Sequence, residues 1–247
     1  MNWKVKTGHV LDVLAEHEPE SVQTCVTSPP YWGLREYDDG GQVWPAVRFK
    51  PVSGLPPIDI PAETVPLGLE SDLWAFVGHL VEVFRAVRRV LKDDGTLWLN
   101  LGDSYANHSP TRKTSSGAFE ATFTGGRISE GKRRRIPAAL KMKDLCGIPW
   151  RVAYALQADG WYLRSDIIWH KPNPMPENVT DRPTKAHEYL FLLSKRPRYF
   201  FDADAIRTGK NGPDGKPAVG GNARSVWTIT TRPFSGAHFA TFPPDLP

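Results

Sequence analysis

The stretch Thr27-Ser28-Pro29-Pro30-Tyr31-Trp32 directly follows a short β-branched run, Val22 to Val26, and this junction decides the fold. Such a run is typical of a buried strand. The prolines after it keep the backbone extended, because proline fixes φ and constrains the residue before it. We therefore expect a stiff turn at the carboxyl end of a strand, the edge of an open α/β sheet where ligands bind. The alternative, a turn without chemistry, is what a lone Pro-Pro pair would indicate.

Composition predicts one globular domain over residues 1–247. The 40% hydrophobic content is enough for one sizeable core. The longest apolar runs have strand length, and the first residues lack the apolar core of a signal peptide, so we expect a cytoplasmic protein without membrane association. Cys25 and Cys146 have neither disulfide nor metal-ligand spacing, which predicts no metal site.

Periodicity predicts strand–helix–strand units after the turn. One helix is expected from an N-cap at Ser71 to a stop at Asp94-Gly95. Its apolar face comprises Leu73, Val77, Leu80, Phe84, Val87 and Leu91. A strand over Thr96 to Leu101 follows, and its Gly102-Asp103 end reaches the ligand edge, where Asp103 either contacts a ligand or caps the turn.

The second unit begins with a helix from Ile148 to about Ala158, in which Pro149 suits the first turn. A strand over Trp161 to Trp169 comes next. The chain then predicts an antiparallel hairpin between a strand from His187 to Ser194 and one over residues 198–201. The fold class is therefore α/β, a partial doubly wound sheet with a C-terminal antiparallel hairpin.

Two further segments are expected near the amino terminus. A short strand from Val5, a turn at Gly8 and a helix reaching about His17 form the first. The second, residues 38–69, is rich in proline and glycine and predicts a long loop, either a functional lid or an inert insertion.

Positive charge is concentrated between residues 106 and 143, which we interpret as a basic loop. This segment has nine basic and two acidic residues, whereas the whole chain has a net charge of +4. A solvated loop and a phosphate-binding loop are both consistent with that pattern. The cluster Lys132, Arg133, Arg134 and Arg135 favours phosphate contact.

The turn resembles the catalytic tetrapeptide of the DNA amino-methyltransferases, in the group that carries it near the amino terminus. Other segments match that family in order: Asp94 to Trp98, Gly102 to Tyr105, Ser165 to Lys171, His187 to Tyr189, Ser225 to Trp227 and His238 to Pro244. The resemblance covers nearly the whole chain. It implies a Rossmann-like methyltransferase sheet, S-adenosylmethionine as cofactor and double-stranded DNA as partner, in the setting of restriction-modification.

The chemistry of that family explains the tetrapeptide. An exocyclic amine is a poor nucleophile because its lone pair is delocalised into the ring. The Ser28 hydroxyl and the Pro29 carbonyl can each accept an amine N–H, and Tyr31 can stack on a base flipped from the duplex. The predicted catalytic residues are Ser28, Pro29, Pro30 and Tyr31. Ser28 favours cytosine N4 as the target, with adenine N6 as the alternative.

The resemblance also implies binding residues. Gly8 and His9 stand where the family has a Gly-Asp pair near the cofactor's adenine. Expected contacts to the methionine end of the cofactor are His238, Ala240, Phe242 and Pro243. Expected contacts to DNA are Trp32, Lys132, Arg133, Arg134, Arg135, His170, Lys171 and Asn173.

The family's next motif, a strand that ends in a glycine-rich cofactor loop, does not occur before Pro247. We therefore expect a catalytic domain that is incomplete at its carboxyl end, with its pocket completed by a second polypeptide or by self-association. The alternatives are a truncated DNA-binding remnant without catalysis, and an RNA or protein methyltransferase that uses the same turn.

Overall fold

The computed structural model describes residues 3–33, 41–106, 140–211 and 217–232, together with Pro243, Asp245 and Leu246. Its helices are α1 (Val10–Ala15), α2 (Leu73–Val90) and α3 (Ile148–Ala158). Its strands are β1 (Val22–Thr27), β2 (Gln42–Trp44), β3 (Val47–Phe49), β4 (Ile58–Ile60), β5 (Glu63–Val65), β6 (Leu91–Leu101), β7 (Tyr162–His170), β8 (His187–Ser194), β9 (Thr208–Asn211), β10 (Pro217–Gly221) and β11 (Val226–Thr228). Within these ranges, no helix is long and apolar enough to cross a membrane.

The central sheet has five strands in the order β1-β6-β8-β7-β11. Strand β1 is parallel to β6, and β11 is parallel to β7. Strand β8 is antiparallel to both of its neighbours, so β6 and β7 run in the same direction. The carboxyl ends of four strands and the amino end of β8 therefore meet at one edge. This mixed sheet confirms the predicted α/β class.

The predicted partner of β8 is wrong. Instead of pairing with residues 198–201, β8 is inserted between β6 and β7, and the Phe200 amide donates to Asp94 O at 3.0 Å. Residues Leu190 to Leu193 are all buried, as expected of a central strand with both faces covered. An antiparallel hairpin does follow later in the chain, where β9 pairs with β10.

The amphipathic helix is confirmed as α2, with different ends. Asp72, rather than Ser71, is its N-cap, and Asp72 Oδ1 accepts the Trp74 amide at 2.6 Å. The helix ends at Val90, because Leu91 is already extended (φ −70°, ψ 140°) and begins β6. Helix α3 starts and ends as predicted.

The predicted loop over residues 38–69 is a bent β-ribbon in its described part, from residue 41. Strand β2 pairs with β5, and β3 pairs with β4, both antiparallel. Pro45 and Pro61 separate the two ladders, since proline cannot donate to a ladder hydrogen bond. The proline and glycine content therefore predicted a loop where short strands form. In β3, for example, buried and exposed residues alternate as in a strand. Near the amino terminus, residues 3–9 form no strand, and helix α1 ends at Ala15.

The sheet has two unequal cores. Helices α1 to α3 pack on one face over a large cluster that includes Leu97, Leu99 and Phe191. The other face has a small cluster of Ile167, Trp169, Leu190 and Leu246, with Trp98 and Trp227 packed against it. The turn that follows β1, residues 28–33, lies at the carboxyl edge of the sheet. We call these residues the reactive turn, after the role that the sequence predicts for them.

Candidate active site

Tyr31 extends from the turn after β1 and is anchored by its hydroxyl group. The hydroxyl oxygen lies 2.9 Å from both Asn100 Oδ1 and Glu188 Oε2, and it accepts a hydrogen bond from Ser28 Oγ at 3.2 Å. Asn100 is oriented in turn, because its Nδ2 donates to Tyr189 O at 3.1 Å. The structure therefore brings the predicted Ser28 and Tyr31 together and adds two acceptors, Asn100 and Glu188, within reach of the single hydroxyl proton.

Glu188 links the turn to the end of β7. Its Oε1 pairs with the Lys171 ammonium group, which lies over the Trp169 ring at 4.1 Å from the centroid. Glu188 faces Trp169 in the β7–β8 register. Strand alternation accordingly places Asn100, Glu188 and Lys171 on the face of the small core, at its carboxyl edge.

Gly102 allows the Tyr31 ring to occupy this position. A Cβ atom at Gly102 would lie 2.5 Å from Tyr31 Cε2 and 2.8 Å from Cδ2, closer than carbon atoms approach. The close approach of backbone to ring therefore requires glycine at this position.

A cavity of about 300 Å³ opens beside Tyr31, and a pyrimidine ring fits in that volume. Its lining residues are Tyr31, Gly102, Asp103, Lys171, Pro174, Met175, Pro176, Glu177, Lys185, His187 and Glu188. Burial lowers the pKa of Lys185, although the nearby carboxylates oppose that shift. Burial and the Lys185 charge lower the pKa of His187, which favours its neutral imidazole form. The cavity thus contains hydrogen-bond donors and acceptors around an aromatic wall.

Asp103 caps α3. Its carboxylate accepts the amides of Gly147 and Ile148 at 3.1 and 3.0 Å, and that of Ser104 at 2.9 Å. Of the two roles left open for Asp103, capping is the one that its hydrogen bonds show.

The predicted DNA contacts that the structure describes lie in different surroundings. Lys171 lines the cavity. His170 Nδ1 lies 3.1 Å from Thr228 Oγ1, and Asn173 bonds the backbone of Thr231 through both ends of its amide. The basic cluster, Lys132 to Arg135, lies outside the described residues.

The prediction that Trp32 contacts DNA is wrong. Its side chain is only 2% exposed, and its Nε1 donates to Glu70 O at 3.0 Å. The indole is part of the large core, so it does not present a surface that DNA can reach.

Of the residues predicted to bind the cofactor, the structure describes Gly8, His9 and Pro243. His9 packs edge-on against Trp44 just before α1, and its buried Nε2 has no hydrogen-bond partner within the described part of the chain. An unpaired imidazole nitrogen beside Gly8 fits the adenine contact that the resemblance implies. Pro243 is buried, and its carbonyl accepts the Leu246 amide at 3.0 Å. His238, Ala240 and Phe242 lie outside the described residues.

Asn100 and Glu188 are the site residues to which the sequence assigns no role. Asn100 is an ordinary position of a predicted strand, and Glu188 lies in the segment His187 to Tyr189 that matches the family. A polar side chain in an otherwise apolar run, as in Leu97 to Leu101, is the signal that could have identified Asn100.

Comparison with known proteins gives the family. The sequence model of the family described as DNA methylase matches residues 22–247. Type II methyltransferase M.Cfr9I of Citrobacter freundii is 44% identical over 244 residues, which are 97% of this chain and 68% of the relative. Type II methyltransferase M.SmaI of Serratia marcescens is 43% identical over 242 residues, 97% of this chain and 71% of the relative. Among solved structures, PvuII DNA methyltransferase (cytosine-N4-specific) matches with a TM-score of 0.51 at 14% identity, over 93% of this chain and 57% of that chain.

The similarity to this solved structure first defines the fold class, an α/β fold. The chain belongs to the DNA methylase family. Proteins of this family are enzymes that use S-adenosylmethionine, so the predicted resemblance, enzyme class and cofactor are confirmed.

Proposed function

We propose that this protein transfers the methyl group of S-adenosylmethionine to the exocyclic amine of a base flipped from double-stranded DNA, and that the base is cytosine. The observation that carries the proposal is the position of the Ser-Pro-Pro-Tyr turn. It lies on the carboxyl edge of the sheet beside a cavity of about 300 Å³. Sequence relatives along 97% of the chain are Type II methyltransferases, which supports DNA as the substrate.

The residues of the turn have distinct roles in this proposal. The cofactor supplies an electrophilic methyl group. The Ser28 hydroxyl and the Pro29 carbonyl accept hydrogen bonds from the two amine N–H groups, which draws the nitrogen lone pair out of conjugation. Pro30 keeps the turn extended, and Tyr31 provides the aromatic wall on which the base stacks. No covalent bond to the protein forms, and the released proton passes to solvent.

The polar residues around Tyr31 prepare this arrangement before DNA binds. Asn100 and Glu188 hold the ring, and Lys171 compensates the charge of Glu188. A partly buried carboxylate is stabilised by such a partner. The ring therefore does not have to be ordered when the base arrives, which lowers the entropic cost of reaching the reactive geometry.

The preference for cytosine N4 rests on Ser28 and is supported by the fold neighbour, whose name specifies cytosine N4. We propose to treat unmethylated double-stranded DNA with the protein and S-adenosylmethionine carrying a labelled methyl group, and to digest the product to nucleosides for mass spectrometry. Labelled N4-methylcytosine is the expected product. Labelled N6-methyladenine would overturn the base assignment, and label confined to RNA or protein in parallel reactions would overturn DNA as the substrate.

The variant Tyr31→Ala tests the stacking role, because it removes the aromatic ring and leaves the hydrogen-bond acceptors of Ser28 and Pro29. Transfer should be lost while DNA affinity stays within a few fold. An equal loss of both would contradict the stacking role of Tyr31.

A further inference from the structure

A segment of chain that the proposed chemistry does not use lies directly against the reactive turn. We call residues 66–70 the strap. The carbonyl of Gly68 accepts the Gly33 amide at 2.6 Å, and the carbonyl of Glu70 accepts Trp32 Nε1 at 3.0 Å. A Cβ atom at Gly68 would lie 3.0 Å from Tyr31 O. The strap therefore contacts each of the three residues that follow Pro30.

The side chain of Glu70 fixes the strap. Glu70 Oε2 accepts the Gly68 amide at 2.8 Å, and Oε1 lies 2.9 Å from His79 Nδ1. The side chains of Glu70 and His79 have no exposed surface, and the His79 ring stacks on Trp44 at a centroid distance of 4.7 Å. Both oxygens of the carboxylate are thus used, one to close the strap and one to join it to α2.

A buried carboxyl group in this place is costly for the fold. Burial raises the pKa of Glu70, which the hydrogen bonds from His79 and Gly68 only partly oppose. An apolar side chain would fill the same volume without that cost. What the carboxylate adds is a directed hydrogen bond to Gly68, whose φ of +92° belongs to the left-handed region.

Only the second half of the turn, from Tyr31 to Gly33, needs support from another segment of the chain. Proline fixes φ at Pro29 and Pro30, so the first half of the turn is restrained by its own chemistry. Tyr31 and Trp32 have no such restraint, and Gly33 has a φ of +65°. The second half is held from outside, by the strap.

We propose that Glu70 is a positioning residue for methyl transfer, which holds the strap against Tyr31, Trp32 and Gly33 and thereby fixes the backbone that carries the Tyr31 ring. This inference rests on the proposed function. It requires that the loss of the carboxylate affects the reaction step more than the binding of DNA or cofactor.

The test is Glu70→Leu, which fills a similar volume but removes both carboxylate oxygens, the one that accepts the Gly68 amide and the one beside His79 Nδ1. We expect kcat to fall at least tenfold, and KM for DNA and for S-adenosylmethionine to stay within twofold. Hydrogen–deuterium exchange of a peptide spanning residues 27–33 should become faster. Glu63→Gln is the matched control, because Glu63 Oε1 lies 3.6 Å from the other nitrogen of His79 but does not bond the strap. It should leave both measurements unchanged.

Trp32→Phe is a second variant in case Glu70→Leu does not fold, since it removes the hydrogen bond from the indole to the Glu70 carbonyl and keeps an aromatic ring. Its turn peptide should also exchange faster, with a smaller loss of kcat. Exchange in the turn as slow as in Glu63→Gln, or a lowered melting temperature with unchanged kcat, would overturn the positioning role. If the wild-type protein methylates no DNA, the proposed function fails, and the exchange rates alone then decide whether Glu70 holds the turn.

Discussion

Gly102→Ala introduces a single methyl group at the point where backbone and the Tyr31 ring are in closest contact. The added Cβ would be 2.5 Å from Tyr31 Cε2, whereas an ordinary contact is about 3.4–4 Å. The ring must therefore move by about 1 Å. It cannot do so freely, because its hydroxyl is bonded to Asn100 and Glu188.

Both stability and activity should respond. Overpacking of this kind costs about 1–3 kcal/mol of the free energy of unfolding, and each kcal/mol lowers the melting temperature by about 2–4 °C in a chain of this size. A displacement of about 1 Å at a positioning group can lower the rate about 100-fold. We expect kcat for DNA methylation to fall by that order, with DNA affinity nearly unchanged.

A double-mutant cycle isolates the contact. In the Tyr31→Ala background there is no ring to collide with, so Gly102→Ala should leave the melting temperature unchanged. The assays are thermal unfolding of the four proteins and single-turnover methyl transfer by wild type and Gly102→Ala. A melting temperature that falls equally in both backgrounds would refute the reasoning, because the damage would then lie in the backbone of Gly102 rather than against Tyr31.

Two further predictions concern other parts of the chain. Replacing Arg133, Arg134 and Arg135 together by alanine should weaken DNA binding and reduce the slope of log affinity against log salt concentration by about one unit or more; an unchanged slope would leave this cluster as a solvated loop. Burial raises the pKa of the Cys25 thiol to about 11. Because the thiolate is the form that reacts with iodoacetamide, the native protein should be modified at Cys25 about two orders of magnitude more slowly at pH 8 than the protein in urea. Peptide mass spectrometry over time measures both rates, and similar rates would mean that the Cys25 thiol is not desolvated in the native protein.

The parts of the fold that sequence predicts are those with a local cause. Helix α2 follows from a repeat of apolar residues at steps of three and four, and the turn after β1 follows from the restraint that Pro29 and Pro30 impose. The same applies to α3, where Pro149 marks the start. The two helices need no knowledge of distant parts of the chain, and the structure confirms both of them.

The errors arise where a distant partner decides. Trp32 lies in the reactive turn and resembles a DNA contact in sequence, but its indole donates to Glu70 O, 38 residues away. Similarly, a proline-rich stretch predicts a loop until β2 is matched with β5, which lies about twenty residues further along the chain. Local propensity does not predict such pairings, because they depend on which surfaces the rest of the chain buries.

The direction of β8 is the pairing with the largest consequence for the site. In a sheet of parallel strands only carboxyl ends reach the ligand edge, and β8 would place Ser194 there. Because β8 is reversed, its first residues stand at that edge and Glu188 reaches the Tyr31 hydroxyl. The register matters equally, since a slip of one residue would turn Glu188 to the opposite face. The position of this carboxylate beside Tyr31 is thus a product of strand order and register, which explains why the matching segment His187 to Tyr189 assigned no role to Glu188.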